Sequence, residues 1–362
     1  MIDPHVHCRD GEKQRHKETK AHALAVAERI GLSGIFDEPN TEPPITTIAL
    51  TEERLADAQR AKSRVFYGLH VGLTSEPAQI REAVAAWRQF FPKPGSSVGV
   101  VGLKMFAGRS VGSLGVIEEE EQRLVYQILA EEGFDGVLAV HCEKEALLKP
   151  GLWDPSDPVS HSFARPPEAE TESVFDQIRF AENCGFRGNL HIAHVSVPKS
   201  VGLIDNARRQ GGVRVSCGVT PHHCTLSYDL IPISEEGLLY KVNPPLRDRN
   251  SALGMLDLLK KGMIDWIETD HAPHTLDEKM GRALDAEGKP QYLSGFPGLP
   301  YYPHFIKHLR RKRFSREQLM KLIHTKIELT YGITIPLLTG DSEPDLNLHK
   351  EYEVDAYKRI RK

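Results

Sequence analysis

Short apolar segments and longer helical patterns alternate along most of this chain, and this alternation restricts the possible folds more than any other feature. The apolar segments are rich in Val, Ile and Leu, and they predict strands at residues 1–6, 34–37, 65–71, 98–104, 136–141, 188–194, 212–217 and 264–269. Helical patterns lie between them, at residues 18–30, 51–61, 78–90, 118–132, 168–182, 200–210 and 251–260. Repeated βα units form parallel sheets. Eight such strands in 362 residues predict an α/β fold, a (β/α)8 barrel of the TIM type.

The length fits one barrel with insertions. Long connections at 147–167, 221–248 and 271–303 follow predicted strands and contain prolines. Long connections in compact domains are usually functional. We predict a barrel at 1–335 and a C-terminal tail at 336–362 that packs on it and forms one or two short strands.

Composition excludes several classes of protein. The net charge of -4, with 27% charged and 40% hydrophobic residues, describes a globular protein without the basic field of a nucleic-acid-binding protein. The basic run at 307–316 is interpreted as a solvated helix face. No apolar run of membrane-spanning length and no signal peptide is expected. Five cysteines without a paired framework favour a reducing compartment, so we predict a cytoplasmic protein.

The first strand ends with two histidines in alternate positions. His5 and His7 point to the same side of a strand, because successive side chains of a strand alternate. Two imidazoles on one face at the end of a barrel strand make half of a metal site. The alternative is that the pair is a chance surface feature.

Other strand ends carry further candidate ligands. Lys104, His141, His194 and Asp270 each end a different predicted strand. Imidazole and carboxylate donors suit Zn²⁺ or a similar divalent ion. An ammonium cannot coordinate a metal, so Lys104 is either an ordinary pairing residue or is carboxylated by CO₂ to a carbamate that bridges two cations.

Eight separated motifs, in order, resemble the amidohydrolase superfamily and, within it, the dihydroorotase family. They are Asp3-Pro4-His5-Val6-His7-Cys8-Arg9, Glu38-Pro39-Asn40-Thr41-Glu42-Pro43, Lys104-Met105-Phe106, Val140-His141-Cys142-Glu143, His194-Val195-Ser196, Thr220-Pro221-His222-His223, Asn243-Pro244-Pro245-Leu246-Arg247 and Thr269-Asp270-His271-Ala272-Pro273-His274. The match extends from Asp3 to about Gly298.

The resemblance implies a metal-dependent cyclic amidohydrolase with two zinc ions. His5, His7 and Asp270 are then ligands of one ion, His141 and His194 of the other, and carboxylated Lys104 bridges both. A zinc-bound hydroxide opens the ring of (S)-dihydroorotate to N-carbamoyl-L-aspartate, and the reverse reaction closes the ring in pyrimidine biosynthesis. Asp270 is the catalytic residue that transfers the proton.

The resemblance also implies substrate contacts. Arg9, Asn40 and His274 would bind the substrate carboxylate, and Asn243 would contact the ring. For Arg9 alone, a structural salt bridge with an acid such as Asp10 is the default interpretation.

Three further expectations concern the N-terminus, a loop and the partners. No full N-terminal β-sandwich is expected, because the chain begins at the first barrel strand. The segment 108–113 is expected to close over the substrate. A small-molecule substrate, no nucleic-acid or membrane partner, and a homodimer are expected.

Two alternatives to a dihydroorotase stay open. One is another cyclic amidohydrolase, such as a hydantoinase or an allantoinase, although Arg9 and Asn40 count against a hydantoinase. The other is a non-catalytic dihydroorotase-like scaffold subunit, although the complete ligand set counts against it.

Overall fold

Eight parallel strands form a nearly closed barrel in this computed structural model, which describes residues 1–109, 113–338 and 343–360. The strands are β1 Ile2–Val6, β2 Gly34–Asp37, β3 Phe66–Gly72, β4 Val98–Ala107, β5 Val137–Cys142, β6 Asn189–Ile192, β7 Arg214–Val219 and β8 Trp266–Ile267. Each pairs with the next in sequence order. After β8, His271 bridges to Val6 in parallel, and its carbonyl accepts from the amide of His7 at 2.7 Å, so the last strand returns to the first.

Helices follow the strands and cover the barrel. They are α1 Lys20–Arg29, α2 Ile48–Arg60, α3 Pro77–Phe90, α4 Glu119–Glu131, α5 Ser160–Ala164, α6 Pro167–Asn183, α7 Pro198–Gln210, α8 Pro221–Thr225, α9 Arg249–Lys260, α10 Leu276–Lys279, α11 Tyr302–Arg311, α12 Arg316–Met320 and α13 Lys326–Tyr331. Short 3₁₀ helices occur at Glu145–Leu147, Pro150–Leu152, Tyr228–Leu230, Glu235–Tyr240, Leu299–Tyr301 and Leu348–Glu351, and a π-helical turn at Lys321–Thr325.

Local sequence explains why these elements form. The residues of β1, β2 and β3 are all buried, as expected for parallel strands covered by helices. Thr19 and Thr47 begin α1 and α2 by accepting hydrogen bonds from backbone amides of the first turn. The predicted barrel is therefore confirmed, and the predicted strand and helix ends differ from the observed ones by a few residues.

The structure agrees with the interpretation of the basic run but not with that of the C-terminal tail. Part of the basic run lies on α11, whose other face buries Phe305, Ile306 and Leu309, as expected for a solvated helix face. The prediction of strands in the tail is wrong for residues 343–360, which contain a 3₁₀ helix and loops. Tyr357 is buried and stacks on Tyr301 with 3.9 Å between ring centroids. The division at residue 335 stays a prediction, and residues 339–342 and 361–362 of the tail lie outside the described ranges.

Two other expectations concern membranes and the segment 108–113. Within the described ranges, no helix is both long enough and apolar enough to span a bilayer. Residues 110–112 of the predicted closing segment lie outside the described ranges.

Candidate functional site

Most of the predicted site residues line one small cavity at the C-terminal end of the barrel. The lining residues are His5, His7, Arg9, Asn40, Phe106, His141, His194, Val242, Asn243, Asp270, Ala272, Ser294 and Gly295. The empty space between the lining atoms, with the open solvent at the mouth included, is about 360 Å³. Lys104 and His274 are buried but are not among the lining residues.

His5, His7 and Asp270 form the first group of candidate ligands. The Nε2 of His7 lies 2.9 Å from Oδ1 of Asp270, and the Nε2 of His5 lies 3.5 Å from the same oxygen. One ligand atom of each residue lies within 4.8 Å of the others, and all three residues are buried. His5 in β1, His7 directly after β1 and Asp270 in the turn after β8 thus converge on one point.

His141 and His194 form the second group. The Nδ1 of His141 lies 3.2 Å from the Nε2 of His194. On its other side, the Nε2 of His141 lies 3.1 Å from the buried carboxylate of Glu143, which is an acceptor only. The Nε2 of His141 therefore donates its proton to Glu143, and the lone pair of Nδ1 faces His194.

Burial keeps the imidazoles of His5, His141 and His194 neutral. Desolvation lowers the pKa of His5 and of His194 well below the usual value, and the charges of Lys104 and His141, respectively, add to the effect. Burial also lowers the pKa of His141, although Glu143 opposes the shift. A neutral imidazole is the form that coordinates a metal.

Lys104 is buried and pairs with a carboxylate. Its Nζ is 3.1 Å from Oε2 of Glu38, and both side chains are fully buried. The Nδ1 of His70 lies 3.2 Å from the other oxygen of Glu38. Burial raises the pKa of Glu38, but Lys104 and His70 lower it further, to about 2. Glu38 also lies 3.7 Å from the Nδ1 of His5, so this carboxylate, to which the sequence analysis assigned no role, connects Lys104 with the first group of candidate ligands.

The backbone turns sharply where several of these side chains leave the barrel. Arg9, His194 and Asp270 have φ values of 50°, 41° and 49°. L-residues rarely adopt this left-handed region, and each such residue costs about 1–3 kcal/mol when the structure enforces it. Residues in such conformations concentrate at functional sites.

Arg9 is the cation of the cavity wall. It is only 2% exposed, and its Nε donates to the carbonyl of Pro273. Its Nη2 lies 3.1 Å from the Nε2 of His274. No ion pair among the described residues includes Arg9, and Asp10 instead pairs with Lys20 at 2.7 Å. Burial lowers the pKa of Arg9 to about 10, so the guanidinium is charged at neutral pH.

The two predicted asparagines also reach the cavity. The Oδ1 of Asn40 accepts from Nδ1 of His7 at 2.6 Å, so Asn40 orients a candidate ligand as well as lining the cavity. Asn243 also lines the cavity, as Ser294 and Gly295 do. The structure therefore brings Arg9, Asn40 and Asn243 to one cavity, whereas His274 contacts it through Arg9.

Sequence reasoning missed three residues that contact candidate ligands or the cavity wall: Glu38, Glu143 and His161. Glu143 follows His141 by two residues, the same spacing that identified His5 and His7, so its position was detectable. Glu38 directly follows β2 and is buried. One charged residue after a strand indicates a site less strongly than two candidate residues at alternate positions do. His161 lies in the long connection after β5 and had no motif around it.

The donor set fits two divalent cations. Imidazoles and a carboxylate converge in two groups, and the buried Nζ of Lys104 has an ion-pair partner in Glu38 but no hydrogen-bond partner. Zinc accepts this combination of nitrogen and oxygen donors.

Comparison with known sequences finds curated relatives that are named dihydroorotases. The chain is 35% identical to a dihydroorotase of Halobacterium salinarum over 301 residues, which cover 83% of this chain and 63% of that protein. It is 29% identical to a dihydroorotase of Bacillus cereus over 364 aligned positions, which cover 98% of this chain and 78% of that protein. The chain therefore spans less than two thirds of the length of the Halobacterium relative. No family model matches the chain.

Comparison with solved structures identifies the same barrel in hydantoinases. An L-hydantoinase from Arthrobacter aurescens superposes with a TM-score of 0.76 at 24% identity, over 91% of this chain and 70% of that chain. A D-hydantoinase from a Thermus species superposes with a TM-score of 0.75 at 21% identity, over 94% of this chain and 73% of that chain. At these identities the likeness establishes the fold.

Proposed function

We propose that this chain is a cyclic amidohydrolase that interconverts (S)-dihydroorotate and N-carbamoyl-L-aspartate in pyrimidine biosynthesis, as the names of its curated relatives suggest. The observation that carries the proposal is the buried guanidinium of Arg9, which lines the same cavity as the candidate metal ligands. It forms no direct ion pair among the described residues, and the carboxylates of Asp270 and Glu278 act on its charge only from a longer distance. A buried charge is costly unless it is paired. The carboxylate of dihydroorotate supplies the missing charge, and unsubstituted hydantoins carry none.

The metal ligands are assigned from the two groups of donors. His5, His7 and Asp270 would hold one zinc ion, His141 and His194 the other, and Lys104, carboxylated on Nζ, would bridge them. When bound, two such cations lower the pKa of a shared water and polarise a carbonyl oxygen. Because CO₂ reacts with a neutral amine, carboxylation requires Lys104 to lose a proton and its ion pair with Glu38.

The protein residues bind the substrate, orient it and transfer a proton. Arg9 and Asn40 hold the carboxylate on one side of the cavity, and His274 keeps the guanidinium in place. Asn243 contacts the ring on the other side. We assign to Asp270 the acceptance of a proton from the attacking water and its delivery to the ring nitrogen that leaves.

The test is a comparison of ring substrates on the purified full chain. We expect dihydroorotate to be opened at alkaline pH, hydantoin and allantoin to be opened far more slowly, and about two zinc ions per chain by elemental analysis. Dialysis against a chelator should abolish activity, and zinc should restore it. A chain that opens hydantoin or allantoin faster is another cyclic amidohydrolase, and a chain without metal or turnover supports the scaffold alternative.

Glu143 supplies a prediction about metal affinity. Glu143→Ala removes the acceptor that keeps the proton on Nε2 of His141, so we expect zinc to bind about 10 to 100 times more weakly. Competition with a chromogenic chelator measures this change. Glu172→Ala, at an exposed position of α6, is the matched control and should bind zinc as the unchanged chain does. Equal zinc affinity in both variants would contradict the assigned role.

The homodimer, implied by resemblance alone, stays a prediction. The cytoplasmic location also stays a prediction, supported by five cysteines that are free thiols.

A further inference from the structure

We infer that His161 is a specificity-determining residue that orients the side chain of Asn243, so that the cavity presents an amide N–H donor, and not an acceptor, to the ring of the substrate. His161 lies on α5, in the connection between β5 and β6, and is 7% exposed. It does not line the cavity, whereas Asn243 does. The inference rests on the proposed function in one respect, that the ligand is a cyclic amide.

The hydrogen bonds of His161 determine its tautomer. Its Nε2 lies 3.0 Å from the carbonyl oxygen of Val242 and 3.0 Å from the Oδ1 of Asn243. A backbone carbonyl can only accept, so Nε2 must carry the proton and donate it. Burial lowers the pKa of His161 well below its usual value, and the nearby charges of Lys241 and Arg165 add to this, so the ring is neutral with a single N–H.

The donor on His161 in turn determines the orientation of the Asn243 amide. The atom of Asn243 that faces an N–H donor must be the oxygen, since the amide nitrogen has no acceptor capacity. The amide nitrogen, with its two protons, is then the polar end left for the cavity. A carbonyl oxygen of the substrate ring can accept a hydrogen bond from this amide nitrogen. A ring N–H at the same place would set two donors against each other, and binding sites discriminate strongly against ligands with such unpaired polar groups.

The surroundings of His161 hold its ring in place. Trp153 packs edge-on against it, with 5.5 Å between ring centroids and an interplanar angle of 80°. The ammonium of Lys241 lies 5.2 Å from the centre of the Trp153 ring and donates to the Oγ of Ser294 at 2.9 Å. Thus the connection after β5 is joined to the segments around Asn243 and Ser294, both of which contribute to the cavity wall.

Three variants of His161 separate the loss of the N–H donor from the loss of the ring. His161→Phe keeps a ring and has no donor. His161→Asn is polar but too short to place a donor at the position of Nε2, whereas His161→Gln places an amide N–H near that position. We expect the first two to raise KM for dihydroorotate about 10-fold with kcat changed less than about 3-fold, and His161→Gln to stay within about 3-fold of the unchanged chain. Zinc content should be the same in all of them.

A double-mutant cycle with Asn243→Ala tests the route of the effect. If His161 acts through Asn243, His161→Phe should raise KM less than about 2-fold further in the Asn243→Ala chain. An unchanged KM in both donor-free variants, or an equal increase with and without the Asn243 amide, would overturn the inference. Should His161→Phe fail to fold, His161→Asn provides the same comparison.

A measurement of ligand binding tests the role of His161 independently of the proposed function. Calorimetry with orotate, an unreactive planar ring with the same carbonyls and carboxylate, should show a loss of affinity in His161→Phe and not in His161→Gln. If the unchanged chain binds orotate but opens hydantoin and not dihydroorotate, the proposed function fails, and the same variants measured on hydantoin decide on His161. A chain that neither binds nor opens any of these rings overturns both.

Discussion

Lys104→Ala is expected to lose bound zinc and ring-opening activity together. The variant removes the atom on which the bridging carbamate would form, and it leaves Glu38 as a buried carboxylate without its ammonium partner. We expect the activity to fall more than about 1000-fold, at least the effect of removing a strong stabilising contact to a transition state. Elemental analysis and the dihydroorotate assay on the same sample measure both quantities.

Lys104→Arg distinguishes the two interpretations of this lysine. Arginine keeps a cation beside Glu38 but cannot be carboxylated, because its guanidinium stays protonated. If Lys104 acts as a carbamate, the arginine variant should lose zinc as the alanine variant does, and acetate should restore part of the activity of Lys104→Ala by supplying a carboxylate. Full zinc and full turnover in Lys104→Arg would show that Lys104 is an ordinary pairing residue.

Arg9→Met is expected to spare the metals and to weaken binding of dihydroorotate by about 2 to 5 kcal/mol, the scale for removing one member of a buried charge pair. This corresponds to an increase in KM of about 30-fold to several thousand-fold. The physical reason is that the substrate carboxylate would enter a buried wall without the guanidinium that lies there. Steady-state kinetics and zinc analysis test the two halves of the prediction.

Two controls show whether an effect of Arg9→Met is specific to the substrate carboxylate. Arg15→Met changes an exposed arginine of the same loop and should leave KM unchanged. Dihydrouracil has the same ring without the carboxylate, so Arg9→Met should not impair its binding. If KM for dihydroorotate is unaffected by Arg9→Met, the carboxylate is bound elsewhere and the choice of dihydroorotate loses its main support.

The barrel was predictable because its signals are local. Each strand is a short buried segment next to an amphipathic helix, and the observed bounds, such as Gly34–Asp37 for β2, depend mainly on residues within that unit. The tail was not predictable in the same way. The alternating pattern around Tyr352 suggests a strand, but in the structure this segment packs by single side chains such as Tyr357 on the covering helices and has no strand to pair with among the described residues.

The candidate ligands could also be predicted from the sequence, but only some of the residues that hydrogen-bond to them could be. Period-two alternation places His5 and His7 together, and the order of the βα units places Lys104, His141, His194 and Asp270 at the same end of the barrel. The same spacing argument would have found Glu143. No pattern along the chain could have related His161 to Asn243, since 82 positions separate them.

By itself, the sequence determined the parallel barrel and the set of side chains at the ends of its strands, because both follow from hydrophobic periodicity and from the order of neighbouring elements. Only the tertiary structure decided which nitrogen of each imidazole faces the cavity, which carboxylate pairs with Lys104, and that Arg9 forms no direct ion pair among the described residues. The physical reason is that hydrogen bonds and ion pairs depend on distances of a few ångströms between residues far apart in the chain, such as His7 and Asn40, which are 33 positions apart. Those distances arise only when the barrel closes.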